Sequence, residues 1–301
     1  MRLFTLAALF LGLSAPPAHP LVQTVPVLDL STARLVDAAA RYVADYEEQL
    51  TAVIADESYA QEVRAQVPEE RGAPRSRSMR SELFFMFAPF ERQWMAIRDV
   101  IEIDGAAVAE RPDLRGALQT LPGWQVAAMF KRTNSRFNIG RVTRNFNEPT
   151  LALLVLDQGH RSRFKFERKR VEKTAGATLV VLEFVERTAP TLIRDLRHRS
   201  VYARGHLLVE AGTGRIRRAV LRAEIDALKV ELTTDYEADA KLGMWVPSVF
   251  RERYEQGNDS RGTRNRRDLT AIPEQQRDYE QVVCKATYSN YRRFEVSSRI
   301  K

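Results

Sequence analysis

The second half of the chain is a succession of short segments in which apolar and polar residues alternate, separated by glycine-containing or polar breaks. In the clearest segment, Leu228, Val230 and Leu232 alternate with Lys, Glu and Thr, which is the two-residue period of a strand with one buried face. Such strands need neighbours to pair their backbone groups, so the chain is constrained to form a sheet. The pattern predicts six strands here: 163–172, 178–187, 202–210, 215–225, 228–236 and 245–255.

The first half adds strands with the same period. The predicted strands there are 58–67, 80–87 and 93–103, and Asp104-Gly105 is a hairpin turn signal. At the C-terminal end of the chain, a last strand is predicted over 283–296. If 80–87 and 93–103 form a hairpin, the predicted register places Met86 opposite Trp94, Phe84 opposite Ala96 and Glu82 opposite Arg98.

Helices are predicted in three places. A long amphipathic helix begins near Ser31, which can cap its first turn, and ends near Asp56. A helical insert covers 112–137, broken at 121–123 (LPG), and a short helix covers 147–156. The apolar stripe of the first helix must lie on another element: Leu35, Ala39, Tyr42, Tyr46, Leu50 and Val53.

These elements together predict an α+β fold with a large curved antiparallel sheet, a long N-terminal helix and a helical plug. Segments 83–87 and 179–182 are apolar on both strand faces, which indicates strands that are covered on both sides. A strongly curved sheet whose concave face is filled by helices, or by a ligand, would explain this pattern. The sequence leaves both possibilities open.

The N-terminus reads as an export signal. Arg2 precedes an apolar stretch over 3–13 and a small-residue run over 14–18, and cleavage is expected after Ala18. Residues 1–18 are therefore predicted to be a signal peptide and 19–301 a single domain in the periplasm or outside the cell. No later apolar run approaches the roughly 20 residues of a membrane span. Cys284 is the only cysteine, so no intramolecular disulfide can form, and we expect it to be buried.

The order of elements, with segments 242–247 (LGMWVP) and 288–294 (YSNYRRF), resembles the periplasmic lipoprotein-sorting carrier family, the LolA-like proteins. The resemblance implies an incomplete barrel whose concave, apolar side holds acyl chains or another hydrophobic ligand under a lid of helices. This chain is longer than a typical carrier and has an additional loop at 256–280. Neither the ligand type nor a partner carries over.

On this basis we expect a non-enzymatic carrier or sensor that binds a lipid-like ligand. The alternative is that the apolar residues are only core and that the protein is a structural or protein-interaction module of the cell envelope. We expect a monomer. Six apolar side chains are predicted to contact the ligand: Phe84, Met86, Trp94, Leu182, Phe184 and Trp245.

The sequence carries no motif typical of a catalytic, cofactor or metal site. It contains no GxSxG elbow, no GxGxxG or Walker loop, no HExxH and no CxxC. We therefore predict no enzyme activity, no cofactor and no metal, although a hydrolase with an unrecognised site, such as a triad built from distant residues, stays open. His160 and His198 lie in polar, arginine-rich turns and are expected to be solvated.

The net charge of +8 indicates a basic surface. Export argues against nucleic acid as a partner, whereas anionic lipid or a cell-wall polymer would be attracted to the same charge. The densest cluster lies in a predicted mobile basic loop at 256–280, where an ordinary solvated loop is the alternative explanation. The residues predicted to contact an anionic surface are Arg261, Arg264, Arg266 and Arg267.

Overall fold

The computed structural model of the 301-residue chain describes residues 30–65, 75–142, 144, 148–174, 176–195, 197–257 and 279–294. The predicted signal peptide at 1–18 and most of the predicted basic loop lie outside these residues, as do Arg261, Arg264, Arg266 and Arg267. The prediction that 19–301 form one domain stays a prediction.

Eleven strands form one antiparallel sheet that is not closed into a barrel, which confirms the predicted fold class. The order across the sheet is β4-β3-β2-β1-β13-β12-β11-β10-β9-β6-β5, and β7 pairs with β8 separately. The strands are β1 Val53–Ala65, β2 Ser76–Ala88, β3 Gln93–Ile103, β4 Ala106–Ala107, β5 Phe164–Thr174, β6 Ala177–Glu186, β7 Ile193–Arg194, β8 Ser200–Val201, β9 Arg204–Glu210, β10 Ile216–Ile225, β11 Leu228–Asp239, β12 Met244–Gln256 and β13 Glu280–Arg293.

The last strand joins the two halves of the sheet. β13 lies between β1, which begins the N-terminal half, and β12, which ends the meander from β9 to β12. Three of its residues are buried in alternation: Val282, Cys284 and Ala286. The expectation of a buried Cys284 is confirmed.

The long helix α1, Thr32–Leu50, covers one face of the sheet, which we call the inner face. Ser31 caps the helix by accepting a hydrogen bond from the Arg34 backbone N–H. The helix ends at Leu50, six residues before the predicted end near Asp56. The reason is that Val53–Asp56 already belong to β1, where they pair with β2. Its buried apolar residues follow the 3–4 spacing: Leu35, Ala39, Val43, Tyr46 and Leu50.

The helical insert breaks at Leu121 as predicted, giving α2 Leu114–Thr120 and α3 Gly123–Asn134. Val126 and Phe130 of α3 pack on Phe84 of β2, on the opposite, outer face of the sheet. In place of the short helix predicted over 147–156, a 3-10 helix covers Leu151–Leu156. This 3-10 segment, with α1, covers the inner face.

At one position in the meander, the close approach of neighbouring atoms requires a glycine. A Cβ on Gly205 would lie 1.9 Å from the Val220 carbonyl oxygen and 2.7 Å from Cζ of Phe184. Only glycine therefore lets β9 lie against β10 while the Phe184 ring fills the space above it. Phe184 is fully buried and packs edge-on against Phe164, with ring centroids 5.8 Å apart.

The predicted register of the β2–β3 hairpin is wrong by one residue. Met86 lies opposite Met95, Phe84 opposite Ile97 and Glu82 opposite Asp99, because the strands are joined by four residues after Ala88 rather than five. The connection ends at Arg92, whose φ of 51° reverses the chain. A shift of one residue moves side chains between faces, so Trp94 joins Phe87 on the inner face.

Candidate functional site

A cleft of about 1040 Å³ runs along the β3 edge of the sheet, between α3 on the outer face and the Leu151–Leu156 segment on the inner face. β3 forms one wall, α3 a second, and the Leu151–Leu156 segment with Thr191 and Leu192 the third. Among the described residues, β3 pairs with a strand on the side away from β2 only at Glu102 and Ile103, where β4 lies. The free length of this edge strand is what leaves room for the cleft.

Apolar side chains form much of the lining. Trp94 and Ala96 project from β3, Leu151 and Leu154 from the 3-10 segment, and Trp124 stands at the α3 side with 54% of its surface exposed. The cleft is of the size that holds a drug-sized molecule, and an acyl chain would cover this apolar surface.

Trp94 is held in place by aromatic neighbours. Its ring meets Phe87 edge-on at 5.2 Å and Tyr46 of α1 at 6.0 Å, and only 2% of its surface is exposed. Its indole Nε1–H has no hydrogen-bond partner among the described residues. A buried donor without a partner carries a desolvation cost that an acceptor in the cleft would offset.

Charged residues share the cleft with the apolar ones. Arg98 on β3 donates two hydrogen bonds to the buried carboxylate of Glu57 on β1, of which Nη2 to Oε1 is 2.8 Å, and its guanidinium lies 4.9 Å over the Tyr59 ring. Both charges are buried, so each depends on the other. The pair crosses over β2 and ties three strands together on the inner face.

Arg144 is a second buried cation in the lining, and 4% of its surface is exposed. Nη1 donates to the Ile139 carbonyl oxygen at 2.8 Å, and Nη2 donates to Oε1 of Gln61. Its Nε has no partner among the described residues, and none of their carboxylate oxygens lies within 4.0 Å of the guanidinium. Arg144 is thus a buried charge that only neutral groups contact, an arrangement rare in proteins.

Glu148 and His160 complete the polar lining. Burial raises the pKa of Glu148 to about 7, and the charges of Lys131 and Arg98 oppose that rise. His160 is part-buried rather than solvated as predicted, because its Nε2 lies 2.9 Å from the Arg92 carbonyl oxygen.

A carboxylate network lies next to these residues on the inner face. Glu252 of β12 accepts hydrogen bonds from the hydroxyls of Tyr59, at 2.8 Å, and Tyr254. Burial raises the pKa of Glu252, while the tyrosine hydrogen bonds and Arg98 lower it in part. Cys284 is buried nearby, and burial raises the pKa of its thiol to about 12, which keeps it protonated and unreactive.

A second groove, of about 870 Å³, lies where the C-terminal half of α1 meets the β2–β3 turn. The Arg92 guanidinium contacts two carboxylates there: Nε lies 3.2 Å from Oδ1 of Asp157, and Nη2 lies 3.9 Å from Glu47. Burial, together with the negative charge of Asp157, raises the pKa of Glu47 to about 7. The contact between Arg92 and Glu47 connects the β2–β3 turn to α1.

The six predicted ligand contacts do not gather at one place. Trp94 lines the cleft, whereas Phe84 and Met86 lie on the outer face beneath α3. Leu182 and Phe184 are fully buried in the inner-face core, away from the cleft lining. Trp245 lies under Arg217, whose guanidinium is 4.0 Å from its ring centroid.

The sequence analysis did not predict the buried charged residues in and beside the cleft. Glu252 has a recognisable signal, because it occupies the buried register of β12 between Phe250 and Tyr254. Glu57 likewise falls between Ala55 and Tyr59 on β1. Arg144 has no such signal, because it lies outside any helix or strand.

Among the described residues, no helix is long and apolar enough to cross a membrane, and no group of three or more His, Cys, Asp or Glu side chains could hold a metal ion.

Three of the solved structures that match this chain align with most of it. An outer membrane lipoprotein-sorting protein domain from Vibrio parahaemolyticus is 11% identical, with a TM-score of 0.40, over 90% of this chain and 95% of that one. A DUF1329 family protein from Desulfovibrio piger is 13% identical, with a TM-score of 0.36, over 87% and 98%. A LolA superfamily protein from Nitrosomonas europaea is 13% identical, with a TM-score of 0.31, over 87% and 96%.

Two of these structures carry the name of the family that the sequence resembles, at low identity and low TM-score. No family model and no curated protein matches the chain.

Proposed function

We propose that this protein is a non-enzymatic carrier or sensor that binds a lipid-like ligand with an acyl chain in the cleft between β3, α3 and the Leu151–Leu156 segment. The observation that carries the proposal is an open cleft of about 1040 Å³ with apolar walls at an edge of a sheet whose inner face is otherwise buried. Core packing alone would fill this space, as it does beneath α1.

The predicted export supports a site of action in the periplasm or outside the cell, where lipids must cross water between membranes. Trp124 at the cleft would meet the ligand on entry, because it is both exposed and part of the lining. Of the ligand contacts predicted from the sequence, Trp94 is retained in the proposed site, and the other five are proposed as support for the surrounding core.

The alternative, a protein-interaction module of the envelope, has one specific observation in its favour. Phe90 in the β2–β3 turn is 96% exposed, and Leu121 between α2 and α3 is 39% exposed. Contiguous exposed apolar patches mark docking surfaces, and these two side chains would contribute to such a patch. A module of this kind would not need the cleft to take up a ligand.

Native mass spectrometry of the chain, produced with export in a bacterial host and purified without detergent, distinguishes the two functions. The carrier proposal predicts an added mass that organic solvent removes. Ala96→Phe should abolish this mass, because Ala96 lines the cleft, whereas Ala60→Phe on the exposed side of β1 should retain it. A protein without added mass that also takes up no fluorescent fatty acid would favour the interaction module.

A further inference from the structure

The cleft has polar atoms that an apolar ligand would leave unsatisfied. The Nε1–H of Trp94 and the Nε–H of Arg144 are both buried hydrogen-bond donors without a partner among the described residues, and both side chains line the cleft. An alkyl chain can accept neither hydrogen bond. The chemistry that satisfies both donors is an oxygen acceptor.

The charges of the lining specify the kind of acceptor. Five arginine and lysine side chains line the cleft, against two glutamates, Glu91 and Glu148. Arg98 is paired with Glu57, and Arg92 with Asp157. No carboxylate oxygen of the described residues lies within 4.0 Å of the Arg144 guanidinium, and the nearby Glu252 interacts with its charge only from beyond that distance. Buried cations in proteins are normally paired with an anion, because an isolated charge is costly to remove from water.

The apolar and polar parts of the lining lie side by side. Leu151 and Leu154 come from the segment that follows Glu148, and Trp94 lines the cleft while its ring packs against Phe87. A molecule that satisfies the whole lining has an alkyl chain at one end and an acidic group at the other.

We propose, resting on the proposed function, that the cleft selects an acyl amphiphile with an acidic head group, a carboxylate or a phosphate, over neutral lipids. The head-group oxygens accept hydrogen bonds from Trp94 and Arg144 and neutralise the Arg144 charge. The acyl chain lies along the apolar wall. Arg144 and Trp94 then determine which ligand binds, and the apolar wall determines that a lipid binds at all.

The test is calorimetric titration of the wild-type chain at pH 8 with dodecanoic acid and, separately, with dodecanol, which has the same chain and no charge. The acid is expected to bind at least about tenfold more tightly, the size of effect that charge-assisted hydrogen bonds to buried groups produce. Equal affinities would overturn the proposed selectivity while leaving the carrier function standing. If neither ligand binds, the carrier function fails and the selectivity fails with it.

Two variants assign the effect to the proposed donors. Trp94→Phe keeps most of the ring packing and removes only the N–H, and Arg144→Gln removes the charge; each should reduce the acid-over-alcohol preference several-fold. Arg161→Gln is the matched control, because Arg161 contacts Asp37 in the other groove and should retain the full preference. A preference that survives both Trp94→Phe and Arg144→Gln, each folded by circular dichroism, would contradict the assignment.

Free anions separate a lipid head group from a plain anion site. Acetate and inorganic phosphate, each added at millimolar concentration, should leave the affinity for dodecanoic acid unchanged. Competition by inorganic phosphate would overturn the proposal, because it would mean that the donors bind a free anion without an acyl chain.

Discussion

The inner face of the sheet has two regions that are buried by different means. The apolar region, beneath α1 and the Leu151–Leu156 segment, contains Leu182, Phe184, Leu207, Leu221 and Leu232, all in direct apolar packing. The polar region, on β1, β3 and β12 beside the cleft, contains Glu57, Tyr59, Arg98, Glu252 and Tyr254, which hydrogen-bond to one another in two groups.

The difference between the two regions separates stability from function. Burying charge costs free energy that a leucine would not, so the polar region is not the most stable solution for a core. It lies where the cleft opens, and the apolar region lies where α1 closes the face. We infer that the apolar region holds the fold together and that the polar region serves the ligand.

The largest effect is expected in the apolar region. Phe184→Ala should lower the free energy of unfolding by about 3–5 kcal/mol in urea denaturation, because it leaves a cavity beside Phe164 in a fully buried position. Val185→Ala, on the next residue with 36% of its surface exposed, should cost about 1 kcal/mol or less. Similar losses for the two variants would show that Phe184 is not part of a tightly packed core.

The second-largest loss in the free energy of unfolding is expected in the polar region. Glu57→Gln should cost about 3 kcal/mol in the same assay, because it leaves the Arg98 guanidinium buried without its counter-charge. The control is Glu62→Gln on the same strand, where the carboxylate contacts Arg64 in solvent and the substitution should leave the free energy of unfolding close to that of the wild type. The double variant Glu57→Leu, Arg98→Met should be more stable than Glu57→Gln alone; a less stable double variant would contradict the desolvation argument.

Much of the apolar framework could be predicted from the sequence. The alternation of Leu228, Val230 and Leu232 identified strand β11 and its buried face, and the same reasoning located most other strands, because period two follows directly from strand geometry. The predicted end of α1 was wrong, because the helical spacing of apolar residues continues through Val53 into residues that pair with β2 in the sheet.

The candidate site was harder to predict, because it depends on register and on distant pairing. One residue of error in the β2–β3 connection placed Trp94 beside Met86 instead of Phe87. Arg98 meets Glu57 across an intervening strand, a contact that no local pattern encodes. Trp94 alone among the predicted contacts lines the cleft.

The third test concerns the groove that ties α1 to the β2–β3 turn. Glu47 has a pKa raised to about 7 by burial and by the neighbouring Asp157, against 4.5 in the unfolded chain. Between these values the folded state holds a proton that the unfolded state has lost, so this contribution is present below pH 4.5 and is lost as the pH rises through 7.

The free energy of unfolding should therefore fall by about 1–3 kcal/mol from this group between pH 4.5 and 7.5. Glu47→Gln should flatten that part of the urea-denaturation profile, and Glu48→Gln, on the exposed neighbour, should leave it unchanged. A wild-type slope that persists in Glu47→Gln would assign the titration to another group.

The smallest expected effect is a pH-dependent change in ligand affinity, which tests whether the polar side of the cleft contacts the ligand. Because burial raises the pKa of Glu148 to about 7, raising the pH from 6 to 8 ionises this carboxyl beside the ligand. Dodecyl sulfonate stays charged throughout this range, and its affinity should fall about threefold to tenfold as Glu148 becomes negative. In calorimetric titrations Glu148→Gln should remove this pH dependence; an unchanged dependence would show that Glu148 does not face the ligand.

The central claim is that an acyl ligand lies in the cleft beside the polar region, and tryptophan fluorescence tests it most directly. Trp94 and Trp124 line the cleft, whereas Trp245 does not, and bromine on a bound chain quenches only the indoles that it contacts. With 11-bromoundecanoic acid, quenching should persist in Trp245→Phe and disappear in the double variant Trp94→Phe, Trp124→Phe. Quenching that persists in the double variant and is lost in Trp245→Phe would place the ligand elsewhere and contradict the account.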